Sequence, residues 1–374
     1  MSLAGRELRS MIDQDGTFIL TLDEVEVGDP AGDEIVVRVE AAPINPSDLG
    51  LLLGPVDMAT LTPHVNGRVG LMGRVPHERL AGVAGRVGRS MPVGNEGAGT
   101  VVAAGRDVAH LTGCRVGVIG GGMYADYRRL KARDVIPLPA GVQARDGASM
   151  FVNPLTALGF VETARSEGHK AIVHTAAASN LGQMLQKICL ADGVPLVNIV
   201  RSPQQAELLR AIGATHVLNS KDEGFTDRLR EAIAETGATI AFDAIGGGTL
   251  GGQIVEAMER AAVGRLSEYN RYGSTEVKQL YIYGGLDTGP TIMNRAGFGF
   301  QWSISGWLLF PFLQKAGAEV TGRMRDRVVA ELTTTFASNY TRVIGLAEAL
   351  DPAVLRAYER KGTGEKFLID PGRD

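Results

Sequence analysis

Between residues 171 and 285 the chain repeats one pattern: a short apolar run, a turn and an amphipathic helix. AIVHTA (171–176) leads into NLGQMLQKICLADG, whose Leu181, Leu185 and Ile188 share one helical face. PLVNIV (195–200) precedes PQQAELLRAIG, HVLN (216–219) precedes DRLREAIAETG, and TIAFDAIGG (239–247) precedes GTLGGQIVEAMERA. KQLYIYGG (278–285) closes the series, and NPLTALGFVETARSEG (153–168) reads as a helix leading into it. Strands that carry apolar residues on both faces, rather than alternating, must be covered on both, and the intervening helices supply that cover. A doubly wound parallel sheet is the fold this rhythm permits.

The flanks have a different texture. FILTL, EIVVRVEAAPINPSD, AGTVVAAG and CRVGVIGGGMYADYRRL are β-like runs separated by Gly, Asp and Pro turns. After about residue 310 come two helical stretches, RVVAELTTTF and AEALDPAVLRAYERK, and a terminal strand, EKFLIDP. The expected class is α/β: a mostly-β domain (1–140) split by the doubly wound domain (141–309) and resumed at 310–374. At 374 residues the chain is long enough for two cores. The ligand is expected in the cleft between the domains.

Composition removes several partners. A net charge of −4 gives no reason to expect nucleic acid. SISGWLLFPFL (303–313) is too short to span a bilayer and contains a proline. MSLAGRELRSMIDQDG has no apolar signal core, and Cys114 and Cys189 form neither a disulfide framework nor a CxxC pair. Cytoplasmic localisation is the expectation.

A dinucleotide site is expected at the first strand-to-helix turn, VHTAAASNLGQ (173–183). Of the GxGxxG glycines only Gly182 is present, so the turn is either a modified phosphate cradle or a plain strand-to-helix turn. Its candidate contacts are Ala178, Ser179, Asn180, Leu181 and Gly182. The second strand ends in Arg201 and Ser202, where an NAD site carries Asp or Glu. A guanidinium there binds a 2′-phosphate bidentately, which favours NADP(H), unless it is simply a solvated arginine. Ile245 and Gly246 in FDAIGGGTL, and Tyr283 and Gly284 in YIYGGL, are candidates at the next two strand ends.

AAPINPSDLGLLLG, PVGNEGAGTVVAAG, VNPLTALGF, FDAIGG and GEKFLIDP together resemble the medium-chain dehydrogenase/reductase superfamily, most closely its zinc-independent quinone oxidoreductases and trans-2-enoyl thioester reductases. The resemblance implies a GroES-like β domain interrupted by a Rossmann domain. Zinc-dependent members hold their metal with a Cys in the NPSD segment and the His of Gly-His-Glu. Asn45 and Asn95 stand at those positions here, and amides are poor zinc ligands, so no metal is expected. His64 and His77 are read as surface or packing histidines.

Without zinc, the resemblance implies hydride delivery to a quinone or to the C=C bond of an α,β-unsaturated carbonyl or thioester. Hydrogen-bond donors would stabilise the resulting oxyanion. Asn45, Asn95 and Ser47 are the catalytic candidates, with Ser47 alternatively capping a turn. The thioester reductases carry a tyrosine soon after NPSD that is absent here; Tyr124 is either its replacement or a packed strand residue. Asn153 and Thr156 would orient the nicotinamide, with Asn153 alternatively an N-cap, and Lys366 would approach the cofactor phosphates or lie solvated. The insertion at 55–91, with Arg68, Arg74, Arg79, Arg86 and Arg89, is either a lid or a solvated loop or dimer arm. WSISGWLLF is expected to form an edge strand that pairs subunits or lines the cleft mouth, and a homodimer is the expected assembly. Two alternatives remain: a non-catalytic dinucleotide-binding or structural member of the fold, and, more remotely, a zinc alcohol dehydrogenase.

Overall fold

A computed structural model describes residues 3–63, 69–359 and 365–373. The chain divides into two compact units, Met1–Val152 with Val329–Asp374, and Asn153–Val328.

In the first unit, β1 (Leu3–Ile12) and β2 (Thr17–Val27) form an antiparallel hairpin that turns at Gly16, where φ is +80°. β3 (Glu34–Pro43) follows, then the one-turn helix α1 (Leu49–Leu52). Next come β4 (Asp57–Pro63), β5 (Val69–Arg74), helix α2 (His77–Leu80), β6 (Met91–Pro92) and β7 (Glu96–Ala104). β8 (Arg115–Ile119), β9 (Tyr127–Lys131), β10 (Val135–Pro137) and helix α3 (Ala144–Gly147) complete this part. One sheet has the order β4-β5-β2-β1-β6.

That order corrects the expectation of a lid at 55–91. β5 pairs with β2 from Thr17↔Arg74 to Leu22↔Val69, so the described strands of the insertion extend a sheet. Leu71 is buried in that sheet. Arg86 is also committed: its guanidinium donates to Ser10 Oγ and to the carbonyls of Gly50 and Leu51. Arg74 pairs with Asp15. His64 and Arg68 lie outside the described residues.

The second unit opens on α4 (Val152–Ser166). Then β11 (Ile172–His174), α5 (Asn180–Asp192), β12 (Leu196–Val200), α6 (Pro203–Ala211), β13 (His216–Asn219), α7 (Phe225–Thr236) and β14 (Ile240–Asp243) alternate as the sequence requires. β15 (Gly246–Gly248), α8 (Leu250–Val263), β16 (Lys278–Ile282), β17 (Asp287–Thr291) and β18 (Trp302–Gly306) follow. The parallel sheet has the order β13-β12-β11-β14-β16-β18. The series thus closes on β18, one strand later than KQLYIYGG. The strand order reverses at β11 and β14, and ligands of such sheets sit at the carboxyl ends flanking that switch point.

α9 (Leu309–Ala330) replaces the expected resumption at 310. Met324 and Val328 are buried, and Arg327 donates to Asp192 at the end of α5, so nearly all of α9 belongs to the second unit. The chain then supplies β19 (Arg342–Ile344), α10 (Pro352–Glu359) and β20 (Phe367–Ile369) to the first unit. Its larger sheet has the order β10-β8-β7-β3-β20-β19, with β9 also on β3. β20 runs antiparallel to β3 through Leu368↔Pro43 and Ile369↔Ala42, which brings Lys366 beside the segment that follows β3.

Candidate functional site

Two buried carboxylates organise the first unit's polar centre. Asp48 is 1% exposed and accepts the backbone N–H groups of Asn45 (2.7 Å) and Asn95 (2.8 Å). Glu96, the first residue of β7, is fully buried and accepts Asn45 Nδ2 at 2.8 Å. Its other oxygen accepts the N–H groups of Phe151 and Val152, both at 2.9 Å. Asn95 Nδ2 donates to the exposed Ser47 Oγ at 3.2 Å. Asn45, Ser47 and Asn95, named from sequence, therefore come together. The groups that hold them, Asp48 and Glu96, were legible only as the acidic neighbours of those residues in NPSD and GNEG.

Lys366 is not solvated. It is 8% exposed and donates to Ser149 Oγ (2.8 Å) and Ser338 Oγ (3.4 Å), while Ser149 shares a 2.7 Å hydrogen bond with Tyr340 Oη. Burial lowers its pKa to about 8 against the attraction of Glu96 and Asp48. Tyr124 is no substrate contact: it is fully buried and donates to the Pro43 carbonyl at 3.0 Å. Gly94, with φ +100°, packs directly on its ring.

Burial raises Glu96, and it raises Asp48 from 3.8 to about 7 despite two backbone donors, with Glu96 adding to the effect. A carboxyl whose folded pKa lies above its unfolded value contributes stability that is present at low pH and lost as pH rises through the folded value. For Asp48 this loss falls between pH 4 and pH 7 and is on the order of 4 kcal/mol. The Asp48→Asn variant sacrifices one backbone acceptor at every pH but loses that slope. Thermal midpoints of the wild type should therefore fall more steeply between pH 4 and pH 7 than those of the variant; parallel profiles would contradict the assignment.

These residues do not fit a zinc ion. Both carboxylates are saturated by N–H donors, and the amides of Asn45 and Asn95 are spent on Glu96 and Ser47. Among the described residues no three His, Cys, Asp or Glu side chains are grouped as ligands.

The first strand-to-helix turn of the second unit has a geometry that a nucleotide phosphate would fit. Ser179 caps α5, its Oγ accepting Gly182 N at 3.1 Å. A Cβ at Gly182 would lie 2.1 Å from the Ala177 carbonyl oxygen, so glycine is required for the helix to sit this close to the turn. Ala176 takes φ +49°, a conformation that glycine adopts more easily. Ala178 and Leu181 are buried, which leaves only their backbone for a ligand; Asn180 opens the helix.

Arg201 is exposed just beyond β12, and its guanidinium has no carboxylate partner among the described residues. Ser202 Oγ caps α6 by accepting Gln205 N, leaving its own proton to donate. Asp243, the last residue of β14, accepts Thr175 Oγ1 and the N–H groups of Ile245 and Gly246, fixing the loop that follows beside the first turn. A Cβ on Gly284 would meet Ala244 O at 2.6 Å, so the third strand-end loop packs against the second. Asn153 and Thr156 are buried within the first turns of α4; because α4 begins at Val152, Asn153 is not its N-cap. These features fit a dinucleotide with a 2′-phosphate.

Residues 31–140 match the family model described as "Alcohol dehydrogenase GroES-like domain", and residues 181–268 match "Zinc-binding dehydrogenase". The mitochondrial enoyl-[acyl-carrier-protein] reductase of Xenopus tropicalis is 29% identical over 233 residues, covering 59% of this chain and 57% of that protein. An acrylyl-CoA reductase of Ruegeria pomeroyi is 27% identical over 252 residues, covering 66% and 68%. A solved structure from Mesorhizobium loti, provisionally assigned as an NADPH:quinone reductase, superposes with a TM-score of 0.73 at 27% identity and 98% coverage of both chains. The chain spans little more than half the length of the first curated relatives it matches.

Proposed function

Because this chain belongs to the medium-chain dehydrogenase/reductase superfamily, with its GroES-like and Rossmann domains, we propose that it is an NADPH-dependent, zinc-independent reductase of activated acceptors. The acceptor is a quinone or the C=C bond of an α,β-unsaturated carbonyl or thioester. The observation that carries this reading is the Asn45–Asn95 centre, where amides tied to Glu96 and Ser47 occupy the positions at which zinc-dependent relatives place metal ligands. A site built from hydrogen-bond donors suits an enolate or phenolate, whose charge is delocalised, better than an alkoxide. Relatives named as enoyl, acrylyl-CoA and quinone reductases favour the same acceptors.

NADPH, when bound, supplies the hydride. The Ser179–Gly182 turn would hold its pyrophosphate, Arg201 and Ser202 its 2′-phosphate, and Ile245, Gly246, Tyr283 and Gly284 its nicotinamide riboside. Asn153 and Thr156 flank that end. In the first unit Asn95 donates to Ser47, which frees the exposed Ser47 hydroxyl to donate its own proton to a developing oxyanion. The strained Ala176, standing where glycine is easier, favours the second reading, a scaffold that has lost its nucleotide. Titration of nicotinamide fluorescence separates the two: NADPH binds more tightly than NADH in the enzyme reading, and neither binds in the scaffold.

We place the protein in the cytoplasm as a homodimer. Both cysteines are free thiols, as in a reducing compartment, and among the described residues no helix is long and apolar enough to cross a membrane. β18 is the outer strand of the parallel sheet, and Phe300, Trp302, Leu308 and Phe310 are exposed around it, an edge suited to pairing with a second copy. Light scattering should give twice the chain mass of 39.6 kDa, falling to one chain when Leu308 and Phe310 are both replaced by Glu. A monomeric wild type would remove the dimer, and fractionation with an oxidising compartment would remove the cytoplasmic placement.

A further inference from the structure

His174, the last residue of β11, is fully buried. Its ring stacks on Tyr283 with centroids 5.8 Å apart and planes 15° apart, and Phe160 packs against both. His174 Nε2 lies 2.8 Å from Tyr283 Oη, while its Nδ1 is buried with no partner among the described residues. Burial pushes the His174 pKa down to about 3, so the imidazole is neutral and carries a single proton.

The surroundings decide which nitrogen holds that proton. On Nδ1 it would create a buried N–H with nothing to accept it, whereas on Nε2 it leaves only an unused lone pair at Nδ1, the less costly omission. Nε2–H therefore donates to Tyr283 Oη. The phenol oxygen is the acceptor in this bond, so Tyr283 must send its own proton elsewhere. Among the described residues no second partner receives it. Tyr283 is partly exposed and stands one residue beyond β16, at the carboxyl edge of the parallel sheet. Its backbone N–H is held by Asp243 O at 2.9 Å, next to the loop that carries Ile245 and Gly246.

We infer that His174 fixes the Tyr283 hydroxyl as a hydrogen-bond donor to an oxygen in the nicotinamide riboside half of NADPH. This rests on the cofactor reading above. Tyr283 makes the contact; His174 is a positioning residue that sets the direction of the donor. The pair also keeps its donor in one orientation across the physiological pH range, because His174 does not charge there.

Three measurements on the full-length protein test this. Two-bond 1H–15N spectra of the imidazole should show His174 protonated on Nε2; a proton on Nδ1 overturns the inference. Tyr283→Phe should weaken NADPH about five- to tenfold, the worth of one hydrogen bond, while leaving 2′,5′-ADP, which lacks the nicotinamide half, unchanged. Equal affinity of wild type and Tyr283→Phe for NADPH, or an equal loss for both probes, also overturns it. His174→Phe should match Tyr283→Phe, and His174→Gln, whose amide restores an N–H toward Tyr283, should recover most of the affinity; a His174→Gln as weak as His174→Phe shows a packing role only. Failure of the wild type to bind either probe removes the cofactor reading itself, a result distinct from every outcome above.

Discussion

Replacing Arg201 with alanine is expected to weaken NADPH binding by about ten- to a hundredfold while changing NADH binding by less than about twofold. The asymmetry follows from where the side chain stands. Arg201 is exposed directly beyond β12, at the position where NAD-specific sheets present a carboxylate to the ribose. Its backbone N–H is held by the Gln205 side chain at 2.9 Å, so the guanidinium can be removed without releasing the strand end. Ser202 continues to cap α6 in the variant. A guanidinium that meets a phosphate forms charge-assisted hydrogen bonds, and NADH has no group to receive them. Parallel titrations of both nucleotides check this. Equal losses for the two would make Arg201 a structural residue, and no loss for either would move the 2′-phosphate site elsewhere.

The second large effect is on stability. Lys366→Met should destabilise the first unit by about 2–3 kcal/mol, because it removes the buried ammonium that donates to Ser149 and Ser338 and attracts Glu96. In a unit of this size the thermal midpoint should fall on the order of 10 °C. Part of the loss comes from Ser149, which no longer receives the ammonium. The contribution of Glu96 is isolated by the double variant: in a Glu96→Gln background the same lysine substitution should cost less, since of the two carboxylates that attract the ammonium only Asp48 remains. Strictly additive losses would show that the two groups do not interact and that Lys366 matters only through its serines.

The doubly wound unit was legible because its strands are covered on both faces. Runs such as IAFD and PLVNIV carry apolar residues on both faces, broken only by a single Asp or Asn, and that reads as a parallel sheet. The insertion was harder. VGLMGR carries two glycines and little alternation, so its pairing with β2 was invisible without the partner strand. The amides Asn45 and Asn95 were found because a family pattern places ligands there. The acids that hold them contact backbone N–H groups, and backbone donors leave no mark in a sequence. The burial of Lys366 was hidden for a related reason: its partner Ser149 is 217 positions away and reaches it only because β20 returns to pair with β3. Tyr124 follows a glycine-rich stretch that looks like a ligand-facing turn, yet its ring is buried in the core with Gly94, from a separate segment, packed against it.

The central claim is hydride transfer from NADPH to an activated acceptor at a site built without zinc. Its most direct test uses chelator-treated protein and follows NADPH consumed with a simple quinone or an enoyl thioester, and NADPH formed from NADP+ with a primary alcohol, side by side. Turnover on the quinone or the thioester, unaffected by chelation or by added zinc, with none on the alcohol, is the predicted result. Alcohol oxidation that disappears on chelation and returns with zinc would contradict it.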